Sequence, residues 1–151
     1  MNEDPDKSLA TLTQLRVVKE RDAARRLREA RARLDQERRN LTTVQQYLAE
    51  YTNSGIENGS KSRVLADGQR FLLNLERTVE AQRTAVENAR RQAETARTHW
   101  AAARSEREAM SRLLERRRDA QTRVEIEREQ RQSDEQAIRR NGKQTTGQGV
   151  S

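Results

Sequence analysis

The residues in this chain that could do chemistry are few, and most of that chemistry is recognition. Its single histidine, His99, has no second histidine, cysteine or paired carboxylate at metal-binding or acid–base spacing, and a general base or metal site needs converging partners. We expect a solvated or rim histidine. There is no cysteine, so neither a disulfide nor a thiolate metal site is available. No phosphate-cradling loop and no dinucleotide-binding glycine pattern occurs. The sequence therefore predicts a non-enzyme with no catalytic residue, no cofactor and no metal. What remains is charge and a small aromatic set: Tyr47 and Tyr51 before a Gly/Asn/Ser cluster, Phe71 after it, and Trp100 further on.

Those side chains must be positioned by helices. Alternate steps of three and four connect Leu72, Leu75, Val79, Gln82, Val86, Ala89, Ala93, Ala96, Trp100, Ala103, Arg107, Met110 and Leu114, with only Gln82 and Arg107 interrupting the apolar series. This alternation is the a/d seam of a heptad repeat, and a lone helix with one thin apolar stripe needs a partner. Upstream, Leu9, Leu12, Leu15 and Val18 keep helical spacing. A strict seam then runs through Leu27, Ala30, Leu34, Glu37, Leu41, Val44, Leu48 and Tyr51. The phase slips between Val18 and Leu27, as in a stutter.

Composition agrees. Hydrophobic residues are 32% and charged residues 36%, too little apolar material for a round core. The only proline is Pro5, so nothing interrupts helices from Asp6 onward. The fold class expected is all-α: a long antiparallel two-helix coiled-coil hairpin with an extended C-terminal helix.

Within a single hairpin at 1–140, helix one is expected over 8–52, capped by Asp6 or Ser8, the bend over 53–61 and helix two over 62–140. Thr52-Asn53-Ser54-Gly55 and Glu57-Asn58-Gly59-Ser60 supply the bend, and Ser60 or Ser62 the second cap. Asn141-Gly142 reads as a stop with Arg139 and Arg140 in the last turn, and 141–151 as a flexible polar tail. Facing residue numbers should sum to about 116, setting Leu41 against Leu75, Val44 against Leu72 and Leu27 against Ala89, with Trp100 near Leu15 and Val18. The stretch after about Glu108 would then lack a partner within the chain.

The net charge is +7. Between Arg16 and Arg39 there are ten basic residues against five acidic, whereas Arg104 to Arg140 holds eleven against nine. The excess lies on helix one, and Arg25, Arg26, Arg28 and Arg31 are its candidate protein-docking residues. Leu27, Leu34, Leu41 and Leu48 beside Arg25-Arg26 invite comparison with a leucine-zipper transcription factor. In that plan, however, the basic helix precedes the zipper, and here Arg31, Arg33, Arg38 and Arg39 lie among the leucines. A basic coiled-coil nucleic-acid binder is the minor alternative; an acidic protein partner is favoured, and no nucleic acid is expected. No apolar run approaches the roughly 20 residues that span a bilayer, and the acidic N-terminus lacks an apolar leader core. The expectation is a soluble cytoplasmic chain. Near the bend, Tyr51 and Leu75 read as core, whereas Tyr47 and Phe71 fall beside the seam and read as an exposed patch for a partner.

These residues carry a resemblance. Tyr47-x-x-x-Tyr51, the Gly/Asn/Ser bend, Phe71-x-x-x-Leu75 with Glu80 and Gln82 following, Trp100, and Glu129-Gln130 with Ser133-Asp134-Glu135 resemble, in order and spacing, the flagellar export protein FliJ family. The resemblance implies a coiled coil similar to the γ-subunit stalk of rotary ATPases, set in the export ATPase hexamer and promoting its assembly and activity. It further implies contact with the cytoplasmic domain of the transmembrane export gate, handling of export chaperones, and a place in the cytoplasm peripheral to the inner membrane at the flagellar base. The family's gate-contacting surface maps onto Asn40, Val44, Tyr47, Tyr51, Phe71, Leu75, Thr78 and Gln82; where this chain has Gln82 and Thr78 the family can carry histidine and alanine. The equivalent stalk of a virulence type III secretion system shares the same plan and is the alternative reading.

Overall fold

The computed structural model describes the backbone of residues 5–57 and 62–147 and the side chains of 5–54 and 65–143. Two α-helices, α1 (Pro5–Glu57) and α2 (Ser62–Gly147), pack against each other as an antiparallel helical hairpin, and there is no strand among the described residues. The all-α coiled-coil hairpin expected from heptad spacing is the fold.

Each helix outruns its expected limits, for local reasons. α1 starts at Pro5, whose fixed φ and missing N–H suit a first helical position. Asp6 and Ser8, read as caps, thus lie inside the helix, where the Asp6 charge favours the N-terminal end of the dipole. At the other end the helix passes through Thr52-Asn53-Ser54-Gly55 to Glu57 instead of stopping at 52. The Thr52 hydroxyl donates to the Leu48 carbonyl (2.7 Å) and the Ser54 hydroxyl to the Glu50 carbonyl (2.9 Å). These side chains therefore bond back along the helix rather than competing with it. Asn58-Gly59-Ser60, the second half of the expected bend, lies outside the described residues. α2 likewise continues past Asn141-Gly142 to Gly147, so the expected stop is overturned and Arg139 and Arg140 precede the last turn. The final residues of the expected tail, 148–151, are outside the described set.

The chain divides into two compact units, Met1–Arg16 with Glu106–Ser151, and Val17–Ser105. In the second unit every seam residue expected from Leu27 to Tyr51 and from Leu72 to Ala103 is buried or half-buried, with Leu27, Leu34, Val79 and Ala89 the most enclosed. Two interhelical bonds set the register. The Tyr51 hydroxyl donates to the Gly68 carbonyl (3.3 Å) and the Gln82 amide to the Glu37 carbonyl (3.0 Å). Facing numbers thus sum to 119, not 116. Val44 therefore stands opposite Leu75 rather than Leu72, and Leu41 within one residue of Val79 rather than opposite Leu75. The continuation of α1 past the expected stop moves the bend and causes the shift.

The expected stutter is absent. Leu12, Leu15 and Val18 are 47%, 53% and 47% exposed. The buried and half-buried positions include Leu9, Thr13, Arg16, Glu20, Ala23 and Leu27, an unbroken 4-3 alternation that joins the downstream seam in phase, with Val17 and Ala24 half-buried beside it. Trp100 is half-buried and stands by register across from Glu20, not against Leu15 and Val18, with the Arg104 guanidinium 5.4 Å from its ring centroid. In the first unit the polar seam is held by charge: the Arg16 guanidinium donates to Glu106 at 2.6 Å, and Gln121 bonds Asp6. Beyond Leu114 every described residue through Lys143 is exposed, and the expected unpartnered stretch begins after the bond from Gln121 to Asp6 rather than at Glu108.

Candidate partner-binding surface

With Leu34 taken as an a position and Glu37 as d, the candidate gate-contacting residues fall on one side of the Val17–Ser105 unit. Val44, Tyr51, Leu75 and Gln82 occupy d positions, and Asn40, Tyr47, Phe71 and Thr78 occupy g positions. In an antiparallel pair the g flanks of the two helices adjoin, so spacing alone assembles all eight into one strip. The seam residues among them are half-buried, as is Asn40. Tyr47 and Phe71 are 64% and 51% exposed.

The aromatic end is built around Tyr51. Its ring meets Phe71 edge-on, with centroids 4.7 Å apart and planes inclined at 61°, a geometry that places the positive edge of one ring on the negative face of the other. Its hydroxyl reaches the Gly68 carbonyl, and a Cβ on Gly68 would stand 3.1 Å from that hydroxyl oxygen. Gly68 thus makes the room in which Tyr51 crosses to α2. Sequence reasoning missed it, although Gly68 continues the seam one step back from Leu72.

Polar groups in the strip are largely engaged. The Gln82 amide donates to both the Glu37 carbonyl and the Glu37 carboxylate (2.5 Å), so the polar interruption of one seam is paired with the polar member of the other. The Thr78 hydroxyl donates to the Asn74 carbonyl at 2.9 Å, and Asn40 accepts from the Gln36 amide at 2.9 Å. The free recognition elements are therefore the two exposed rings.

The candidate docking arginines are all exposed but do not form one surface. Arg25, Arg28 and Arg31 follow one another around the f, b and e positions, whereas Arg26 is at g on the opposite flank, lining a shallow recess with Ala23, Arg91, Ala96 and His99. Arg25 leans toward Asp22 at 3.7 Å. His99 is exposed. Among the described residues no cluster of three or more His, Cys, Asp or Glu side chains could hold a metal ion, and no helix is long and apolar enough to cross a membrane.

Among known proteins, neither the curated proteins nor the solved structures supplied a match. A family model described as flagellar FliJ protein matches residues 6–146, which takes in both helices, the bend between them and the aromatic strip. The chain therefore belongs to the flagellar FliJ family, accessory components of flagellar protein export.

Proposed function

We propose that this chain is the central stalk of the flagellar export ATPase ring. In this role it promotes ring assembly and turnover, contacts the cytoplasmic domain of the export gate, and passes export chaperones. It works in the cytoplasm and meets the inner membrane only through the gate. The observation that carries the reading is the pair of exposed rings, Tyr47 and Phe71, on adjoining g flanks beside the bend. Interface anchors are enriched in aromatics, and large rings left in water beside a well-formed seam are a cost that a partner relieves.

The test separates recognition from folding. Tyr47→Ala removes a ring with little buried area and is expected to leave the melting temperature nearly unchanged. Phe71→Ala also forfeits the Tyr51 edge contact, worth about 1 kcal/mol. Leu72→Ala, in the seam, is expected to cost about 2 kcal/mol or more. Affinity for the purified cytoplasmic domain of the gate should fall steeply for Tyr47→Ala and Phe71→Ala. Wild-type affinity in both variants, or melting as severe as that of Leu72→Ala, rejects the assignment.

A further inference from the structure

Charge is unevenly divided between the two flanks of the Val17–Ser105 unit. On the flank opposite the aromatic strip, the e positions of α1 carry Arg31 and Arg38 and no acid anywhere from Val17 to Thr52, and those of α2 carry one acid, Glu76 near the bend, followed by Arg83, Arg90, Arg97 and Arg104. The e positions of an antiparallel pair adjoin, and the register set by Glu37 and Gln82 brings Arg31 and Arg90, and Arg38 and Arg83, to neighbouring positions, two residues off direct opposition. Coiled coils usually fill such positions with opposite charges that select the partner; here like faces like, which opposes the pairing of the two helices. Arg83 is drawn outward to Glu80 at 2.6 Å, and Arg90 to Glu87 and Glu94 at 2.6 and 2.5 Å. Arg31, Arg38 and Arg97 are exposed, and their guanidinium groups make no hydrogen bond or ion pair among the described residues.

We propose that this arginine flank docks an acidic α-helix of a partner protein, laid alongside the hairpin as a third strand. Guanidinium groups stand one heptad apart, about 10.5 Å along the axis, at Arg31 and Arg38 on one wall and at Arg83, Arg90 and Arg97 on the other. A helix with carboxylates at heptad spacing meets each in turn, and the planar fork of arginine accepts a carboxylate bidentately. The row of Glu80, Glu87 and Glu94 bounds the flank along the outer side of α2. A single helix of about 10–12 Å diameter fits inside that row, whereas the phosphates of a wider nucleic-acid duplex would be carried onto its carboxylates. Docking also relieves the like-charge apposition that the hairpin sustains alone. The proposal stands independently of the ATPase-stalk reading and involves none of the aromatic strip.

The experiment uses the full chain and a fluorescent peptide of about three heptads with glutamate at heptad spacing beside a leucine seam, and its Glu→Gln counterpart. At about 150 mM salt, where long-range attraction is screened, the wild type should bind the acidic peptide and not the counterpart. Arg31→Gln/Arg38→Gln/Arg97→Gln should weaken binding by about tenfold or more. The same charge change placed in the later part of α2, Arg116→Gln/Arg117→Gln/Arg118→Gln, should leave it within about twofold. Because the first variant removes a repulsion, its melting temperature should stay at or above that of the wild type, and Arg97→Gln alone provides a milder variant of the same sign. Equal losses in both triple variants, no loss in the first, a lowered melting temperature, or tighter binding of a duplex of about 20 base pairs than of the peptide at the same salt overturns the proposal.

Discussion

Glu87 shows how a half-buried charge on this coiled coil acquires a defined state. Its carboxylate accepts from Arg90 at 2.6 Å and lies 3.4 Å from Arg91. The Arg90 hydrogen bond, reinforced by the charges of Arg90 and Arg91, holds its pKa below 4.5 against a smaller opposing effect of desolvation. The same contact pushes the Arg90 guanidinium further above its already high range. A carboxylate whose folded pKa is depressed contributes stability above its unfolded pKa, and that contribution is lost as pH falls through the folded value. The pair therefore contributes at neutral pH, and its contribution is lost only as pH falls below 4.5. Titration of side-chain carboxyl resonances should show the Glu87 midpoint rising toward 4.5 in Arg90→Gln and staying put in Arg97→Gln. A midpoint indifferent to Arg90 would mean that the ion pair does not persist in solution.

At the scale of the elements, the central question is why polar residues occupy the seam. Glu37 and Gln82 are both half-buried d residues, and they satisfy each other across the helices. A paired polar seam residue fixes register at some expense of stability, because any slip strands it against apolar neighbours. Gln82→Leu alone should destabilise the hairpin, since the Glu37 carboxylate keeps its desolvation and loses its donor. Glu37→Leu/Gln82→Leu should recover that loss and exceed wild type by about 1 kcal/mol, because replacing both partners by apolar groups removes the penalty altogether. Thermal melts of the three proteins decide it, and a double variant no more stable than Gln82→Leu would mean that the pair is a net contributor. The same physics governs what was legible in the sequence. From Leu27 to Tyr51 and from Leu72 to Leu114 the apolar 3-4 alternation has few competitors, and the seam could be read directly. Before Leu27 the apolar residues Leu12, Leu15 and Val18 drew the reading onto the exposed face, because the true seam there includes Thr13, Arg16 and Glu20. A long arginine can cover apolar surface with its stem while its head meets Glu106, which hydrophobicity alone cannot anticipate. The register was misjudged for a related reason: Thr52, Asn53, Ser54 and Gly55 are turn formers by type, but the two hydroxyls bond within the helix and carry it onward. The aromatic strip was legible because it depends only on position relative to the downstream seam. The separation of Arg26 from Arg25, Arg28 and Arg31 was not, since adjacency along the chain hides a change of flank.

For the molecule as a whole, the decisive asymmetry is length, 86 residues in α2 against 53 in α1. In the unit of Met1–Arg16 and Glu106–Ser151 the helices are tied as far along as the bond from Gln121 to Asp6. All described residues from Glu115 to Lys143 are exposed, and the apolar ones, Val124, Ile126 and Ile138, are spread along the helix rather than gathered into a patch. A helix so exposed gains little from tertiary burial, and helical stability in proteins comes mainly from such burial. Truncation after Thr122 should accordingly lower the melting temperature of the hairpin by no more than a few °C. Helical circular dichroism should fall by the share of the removed segment. Under the stalk reading the isolated full chain hydrolyses no nucleotide and raises the turnover of the purified ring ATPase. The truncated chain should lose that stimulation while keeping wild-type affinity for the cytoplasmic domain of the gate, because the aromatic strip belongs wholly to the Val17–Ser105 unit. Full stimulation by the truncated chain would move ATPase contact onto the hairpin itself. Joint loss of stimulation and gate binding, with the melting temperature intact, would show that the two activities share one surface and would defeat the division of labour.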